Sequence, residues 1–526
     1  MKRLISIIAL TVLVFAACNK YENDIQGVTD GAAPEPEMRF VIDFTIKDTD
    51  APDTRVVKDS WVDGDMVYIF FYGMKRYDSK YLELRYNGGQ WEATPKGDLT
   101  ASYLSERSTK KLKAVYLPFG NETDAWRNNN DKWRYKNYFY TYYLISESID
   151  YTIDAEGDIA TLSVENGVLP LSMPSNFVHF FLEDDEAYDC GASLRVSHLL
   201  PCYFGNISYN YLDVSEYYSG TSSMDPIYGA AIPGYVYEKG GKKGYVFCGK
   251  LNSAVIGNLT DYSFTLVKGN RSYSATADAK VLTSKSSVDI SGLNWNAIPI
   301  EFVDLGLPSG TKWGNLNLGA YTESDMGKSY AWGDVNGYAY MGAEYRFMCT
   351  HAFSENNYVF WDKNDYMVYT KYVHEDRTEC WNGAGAPDNL LQLETMDDAA
   401  YVTNPDWRIP TKEQWAELLD PTYCVWEEEW GPEGYGFRIT SVVPGHENES
   451  IFLPLTKLLL GYERDSDFNE WQLAYWALDL APSDYYYGPQ SAYALNSSPY
   501  YYMSQDNVDI GPLFRNSGML IRPVSH

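Results

Sequence analysis

Residues 39–47 read Arg39-Phe40-Val41-Ile42-Asp43-Phe44-Thr45-Ile46-Lys47 and alternate strictly, with Phe40, Ile42, Phe44 and Ile46 on one side and Val41, Asp43 and Thr45 on the other. Successive side chains of an extended chain point to opposite faces, so a period of two over nine residues predicts a strand with one covered face. The pattern continues outward. The turn-rich stretch 48–55, DTDAPDTR, leads through Trp61-Val62-Asp63-Gly64-Asp65 into an apolar strand over 66–72. Strands at 81–86 and 90–92 flank Asn87-Gly88-Gly89, a hairpin signal. Another strand is predicted over 112–119, and six short ones follow at 160–164, 177–182, 193–196, 244–247, 263–267 and 287–290. Turn clusters separate them and no long helical period intervenes, which is the pattern of β-sandwiches. Pro170 and Pro174 sit between two strands and mark a domain boundary near residue 169.

The composition changes after Ile298-Pro299, where a Gly- and Trp-rich region opens. Its clearest helix is predicted over 411–419, TKEQWAELL, with Thr411 and Gln414 as the two halves of a capping box and Pro421 as the stop. Trp415, Leu418 and Leu419 share one face. Strands predicted over 437–443, 450–453, 492–495 and 519–524 surround it, giving an α+β unit. With 526 residues the chain exceeds what one core supports, so about three domains are expected. Aromatics make up 16% of it while mean hydropathy is −0.37, a balance that suits strands with one wet face. The fold class expected is therefore mainly β, with tandem sandwiches over 38–168 and 169–298 and an α+β domain over 299–526.

The N-terminus reads as an export signal: Lys2 and Arg3, an apolar stretch from Leu4, then Ala16-Ala17-Cys18. Its apolar run is too short to span a bilayer. Phe15-Ala16-Ala17-Cys18 resembles a bacterial lipobox, which implies a signal peptide over 1–17 and lipidation of Cys18. Residues 19–37 are polar with Gly, Ala and Pro, so 18–37 reads as a tether. Such a segment spans roughly 25 Å as a coil and about 65 Å extended. Glu22 and Asp24 after Lys20 resemble the acidic signal that routes some lipoproteins to the cell surface. The formal charge is −30, and beyond residue 17 it is −32, with 40 basic against 72 acidic residues. Phosphate backbones and anionic headgroups are repelled by such a surface, which excludes nucleic acid as a partner and leaves the lipid as the membrane link. Six cysteines besides Cys18 are sparse for this length. Cys190 with Cys202 is the first candidate disulfide, Cys349 with Cys380 or Cys424 the second, and free buried thiols are the alternative.

Two family resemblances rest on these residues. Thr54-Arg55, the Trp61-x-x-Gly64-Asp65 turn, Ala114-Val115-Tyr116-Leu117-Pro118, and Leu171-x-Met173-Pro174 followed by 178–182 resemble the fimbrillin-like lipoproteins of gut and oral bacteria, over residues 38–298. That resemblance implies two β-sandwiches behind a lipobox. It also implies cleavage after Arg55 by an Arg-specific protease, which removes the first strand, 40–46, and lets a neighbouring pilin subunit add its own. The stretches 303–313 (VDLGLPSGTKW), 330–334 (YAWGD), 407–415 (WRIPTKEQW) and 521–524 (IRPV) resemble the FISUMP family of exported domains over about 220 residues, with a fold akin to C-type lectins. Where that family carries Tyr-Trp-Ser-Ser, this chain has Tyr475-Trp476-Ala477-Leu478, a departure expected to alter a surface.

Chemistry-bearing patterns are few. The run Asp465-x-Asp467-x-Asn469 lacks the glycine and the bidentate glutamate of a calcium loop, and Cys349-x-His351 with His374-x5-Cys380 does not match structural-zinc spacing. No metal or other cofactor is expected. No Gly-x-Ser-x-Gly, His-Glu-x-x-His or phosphate-cradling glycine loop is present, and the chain reads as a non-enzyme. The expected recognition feature is a set of C-terminal aromatics, Trp471, Trp476, Tyr486 and Tyr501, the two tyrosines each central in a Tyr-Tyr-Tyr run. Three consecutive tyrosines in a strand cannot all face one core, and exposed rings stack on sugars or protein partners. The reading is a lipoprotein anchored in the outer membrane and exposed at the cell surface, an adhesin or pilus tip or accessory subunit whose last domain meets a host or dietary glycan or a matrix protein. The alternative is a glycan-binding protein of a nutrient-uptake system unconnected to pili.

Overall fold

The computed structural model of the chain describes residues 38–48, 61–72, 80–117, 126–127, 132–134, 144–174, 177–188, 191–197, 199–201, 203–208, 213–217, 231–239, 241–251, 261–278, 285–339, 353, 357–362, 368–431, 434–456, 472–481, 491–497 and 507–526. It is mainly β. The first sheet runs in the order Arg39–Asp48, Ile159–Leu171, Ile149–Glu156, Lys111–Leu117, Met66–Phe71, Tyr81–Asn87 and Gln90–Lys96, and its two end strands lie near each other so that the sheet is almost closed. Met66–Phe71 is buried along its whole length, which is why its six residues are all apolar rather than alternating. The expected hairpin is present. Gly88 and Gly89 take φ of 54° and 86°, both left-handed, as a two-residue turn between paired Asn87 and Gln90 requires. A short helix the sequence pattern did not reveal, Ala101–Ser105, is capped by Thr100 and buries Leu104 beneath Tyr151, whose hydroxyl donates to Leu104 O.

Ile159–Leu171 runs through the boundary expected at residue 169, and Leu169, Leu171 and Met173 join the first core. Beyond Val168 this strand pairs with Arg39–Asp48 alone, so Pro170 sits where its missing N–H is not needed.

The middle of the chain forms two five-stranded sheets. One runs Leu199–Pro201, Lys242–Leu251, Phe177–Glu183, Ser286–Asp289, with Tyr235–Lys239 also on Lys242–Leu251. The other runs Ile232–Pro233, Ala192–Val196, Asp261–Lys268, Arg271–Asp278, Asn296–Ile298. They enclose one core in which Phe180 meets Phe264 edge to face at 5.8 Å. Phe177–Glu183 is apolar without alternation because both of its faces are covered. Val178, Phe180 and Leu182 enter this core, while Phe177 and Phe181 pack against the first.

The last part contains several three-stranded sheets, among them Cys424–Gly431, Gly434–Ser441, Ser450–Pro454 and Ala474–Leu480, Ser491–Ser497, Val508–Phe514. Its helix, Lys412–Leu419, carries the predicted capping box: Gln414 N–H donates to Thr411 Oγ1 (3.2 Å) and Thr411 N–H donates to Gln414 Oε1 (2.8 Å). Of the strand predicted over 519–524, only Val524–Ser525 forms a ladder, against Lys312–Gly314, while Met519 and Leu520 make single bridges.

Middle and last parts are fastened together around the turn after Asp261–Lys268. Asn270 donates to Val335 O (3.1 Å) and accepts from the Tyr330 hydroxyl (2.9 Å), Arg271 donates to Thr403 O (2.7 Å), and Ser272 donates to Gly319 O (3.0 Å). Across the same joint buried Lys328 donates to Gly191 O (2.6 Å) and the Tyr188 hydroxyl donates to Gly337 O (2.7 Å).

Candidate functional site

The first strand lies at one end of the first sheet. Arg39–Asp48 pairs in parallel with Ile159–Leu171 on one side only, and its other edge turns toward Gln90–Lys96 with no ladder between them. Phe40 (3% exposed) and Ile46 (5%) are buried in the first core, and Ile42 and Phe44 pack against it. Asp43, Thr45 and Lys47 face outward, as the alternation requires. Register jumps where Asp43 faces Ser163 but Thr45 faces Val168, and the extra residues of the partner loop out through Asn166 and Gly167, both with left-handed φ.

What holds the strand down is the Trp61-Val62-Asp63-Gly64-Asp65 turn. Trp61 Nε1–H donates to Ile46 O (3.1 Å), and its ring lies edge-on to Trp91 and Tyr116 at 5.3 and 5.0 Å. Gly64 takes φ of 95°, which explains the glycine, and Asp65 accepts from Val62 N–H (2.9 Å) and from the Tyr116 hydroxyl (3.1 Å). Asp63 accepts from Gly88 N–H (2.9 Å), tying the turn to the hairpin tip. The motif is thus a clamp built of aromatic edges and two carboxylates.

In the last part, tryptophans from the stretches 303–313, 330–334 and 407–415 build the core together with Trp476. Trp313 and Trp415 rings lie 4.7 Å apart. Trp415 Nε1–H donates to Trp476 O (3.2 Å), Trp476 Nε1–H donates to Tyr330 O (2.7 Å), and Trp332 Nε1–H donates to Ala477 O (2.9 Å). Trp476, expected to present its ring to a ligand, is 0% exposed and belongs to this network, so its role is packing. Ala477 is buried beside it, and the departure from the family pattern there falls largely inside the core rather than on a surface. Arg522 is also buried and fully engaged: Nε, Nη1 and Nη2 donate to Asn317 Oδ1, Gly314 O and Phe452 O at 2.7–2.8 Å.

A second buried guanidinium, Arg515, gave no signal in the sequence, where a lone arginine between Phe514 and Asn516 looks like any surface residue. Its Nη1 donates to Tyr372 O (3.0 Å) and Lys371 O (3.3 Å), and its plane lies 3.9 Å from the Tyr369 ring centroid. Nε and Nη2 are buried with no hydrogen-bond partner among the described residues. Elsewhere in this part, burial pushes the Asp334 carboxyl up to about 6 against the pull of the Asn336 N–H it accepts from. Among the described residues no three His, Cys, Asp or Glu side chains gather as a metal site.

Cys18, Arg55, Cys190, Cys202, Trp471, Tyr486 and Tyr501 lie outside the described residues, as do the signal, the tether, Cys349 with His351 and the acidic run at 465–469. Cys380 and Cys424 are buried free thiols, which corrects the second disulfide candidate. Each is enclosed by its own apolar core, and burial pushes the Cys424 thiol up to about 12.

No protein-family profile and no curated protein matches this chain. Among solved structures it is similar to a candidate cell adhesion protein from Bacteroides ovatus, at 9% identity and a TM-score of 0.24, over 50% of this chain and 96% of that one.

Proposed function

We propose that this chain is a surface-exposed lipoprotein that acts as an adhesin. In this reading Cys18 carries the lipid that anchors the uncleaved chain in the outer membrane, cleavage after Arg55 releases the body from that anchor for assembly, two fimbrillin-like sandwiches form the body, and a FISUMP-like, lectin-fold unit presents the ligand-binding face. It is a pilus tip or accessory subunit, not an enzyme. Its partners are other subunits, joined by strand addition, and a host or dietary glycan or matrix protein.

The observation that supports this best is the seat of Arg39–Asp48. A strand held along one edge by a parallel ladder, with Phe40 and Ile46 buried, Ile42 and Phe44 packed on the core and Trp61 bonded to Ile46 O, leaves an apolar, hydrogen-bonding slot when it departs. Such a slot is what an incoming strand needs, since main-chain bonds supply affinity and alternate side chains supply fit. The fastening of middle and last parts through Asn270, Arg271 and Lys328 favours a rigid stalk over a hinged one. N-terminal sequencing of the chain recovered from assembled fibres tests the reading. A start after Arg55 is expected, and a start at Cys18 in assembled material refutes strand removal.

A further inference from the structure

We infer that Arg515 is an anion-binding subsite of the last part and takes the carboxylate of an acidic sugar. A guanidinium carries five N–H donors in a fixed fork, and its Nε and Nη2 edge matches the two oxygens of a carboxylate. In Arg515 that edge is the vacant one, because the two carbonyls of Lys371 and Tyr372 occupy Nη1. The side chain is 0% exposed. A charge buried without a counter-charge or full hydrogen bonding is strongly disfavoured, so a fold that keeps one implies something that completes it. This fold elsewhere satisfies its buried or half-buried arginines: Arg522 through three acceptors, and Arg438 through Glu323 and Glu429. No described carboxylate pairs with Arg515.

The surroundings select the rest of the ligand. Tyr369 stacks on the guanidinium plane and fixes the fork, while Tyr358 and Trp332 stand at 5.7 and 5.8 Å. All three rings are buried in the core, so a sugar ring could lay its C–H faces on them only once this core has opened. Two further polar side chains of the last part are buried without partners among the described residues: Ser517 Oγ, two residues along the chain from Arg515, and the indole N–H of Trp381, whose backbone bridges to Tyr369. Both can donate. The vacant groups therefore call for an acceptor-rich ligand, which a carboxylated, hydroxylated ring supplies. An acidic peptide presents the same carboxylate without the hydroxylated ring. Because the fork is shut from solvent, capture is coupled to an opening of this core and is slower than simple encounter.

This deepens the adhesin reading, which gives the last part its role, but binding is measured on the purified full chain and does not depend on assembly. Calorimetry with glucuronate, glucose, sulfate and an acidic tetrapeptide is the test. Saturable glucuronate binding is expected, with none to glucose. Arg515→Lys keeps the charge but loses the fork, and should weaken glucuronate roughly tenfold to a hundredfold, the worth of charge-assisted hydrogen bonds. Absence of saturable glucuronate binding to the unaltered chain overturns the inference whether or not the variant folds. So does sulfate or the peptide binding as tightly as glucuronate, or a folded Arg515→Lys chain that binds glucuronate unchanged.

Discussion

If the seat of the first strand is a slot for strand addition, a chain beginning at residue 56 should bind a synthetic peptide of residues 38–48 added in trans. Single substitutions in that peptide then report how the slot is lined. Phe40 is the deepest anchor, at 3% exposure within the first core. Truncating a buried Phe to Ala removes its transfer free energy and leaves a cavity, together about 3–5 kcal/mol. Phe40 lies at the start of an edge strand, where neighbours can partly collapse, so the lower figure of about 3 kcal/mol is the better estimate. At about 1.4 kcal/mol per decade this is a roughly hundredfold loss of affinity. Thr45 faces outward, and its hydroxyl is only 3.4 Å from Gly167 O, so Thr45→Ala should stay within about 0.5 kcal/mol, or about twofold. Fluorescence anisotropy of a labelled peptide measures both. Equal losses for the Phe40 and Thr45 variants, or no binding by the unaltered peptide, would show that the strand is an integral part of the sheet.

Two other outcomes follow from buried polar groups. The Asp334 carboxyl is pushed from its usual value near 3.8 up to about 6 by burial, so the native chain holds this proton more tightly than the unfolded chain does. The cost of the buried charge is then absent below about pH 4, grows as pH rises to 6 and is full above it. Asp334→Asn should therefore add up to about 3 kcal/mol at pH 7.5 and almost nothing at pH 3.5, and urea titrations giving the same difference at both values would contradict the assignment. Asn270→Ala removes the acceptor of the Tyr330 hydroxyl and the donor to Val335 O at the joint between middle and last parts, so unfolding free energy should fall by about 2–3 kcal/mol. A fall below about 0.5 kcal/mol in denaturant melts would mean that the joint is not load-sharing.

Much of the β architecture was legible because its strands are of two readable kinds. Arg39–Asp48 has one wet face and shows a clean period of two, while Met66–Phe71 is covered on both faces and shows as an unbroken apolar run. The helix Lys412–Leu419 was legible for a different reason, since its capping box is a local side-chain pattern that needs no tertiary context. Ala101–Ser105 and Ala399–Thr403 were missed because five residues hold too little of a 3.6-residue period to register. The passage of Ile159–Leu171 through Pro170 was missed because whether a proline breaks a strand depends on which edge is paired, a tertiary fact. Trp476 was misassigned on the same ground. Proximity in sequence to other aromatics says nothing of which face a strand residue takes until the sheet is known.

The last part separates scaffold from specificity in a way that bears on where a ligand should be sought. Trp313, Trp332, Trp415, Tyr330 and Arg522 all come from the stretches that resemble a known family, and all are buried. The indole N–H groups of Trp332 and Trp415 and the guanidinium of Arg522 donate to backbone carbonyls or an amide far away in the chain, on Ala477, Trp476, Asn317, Gly314 and Phe452, so these residues fix how distant segments meet. Substituting any of them would disturb the framework before it disturbed recognition. Arg515 stands outside all four stretches, at the turn after Val508–Phe514, with a vacant donor edge in an aromatic surround. A buried group that the framework does not need to satisfy is free to differ between chains sharing this scaffold, and it is at such positions that one scaffold acquires different ligands.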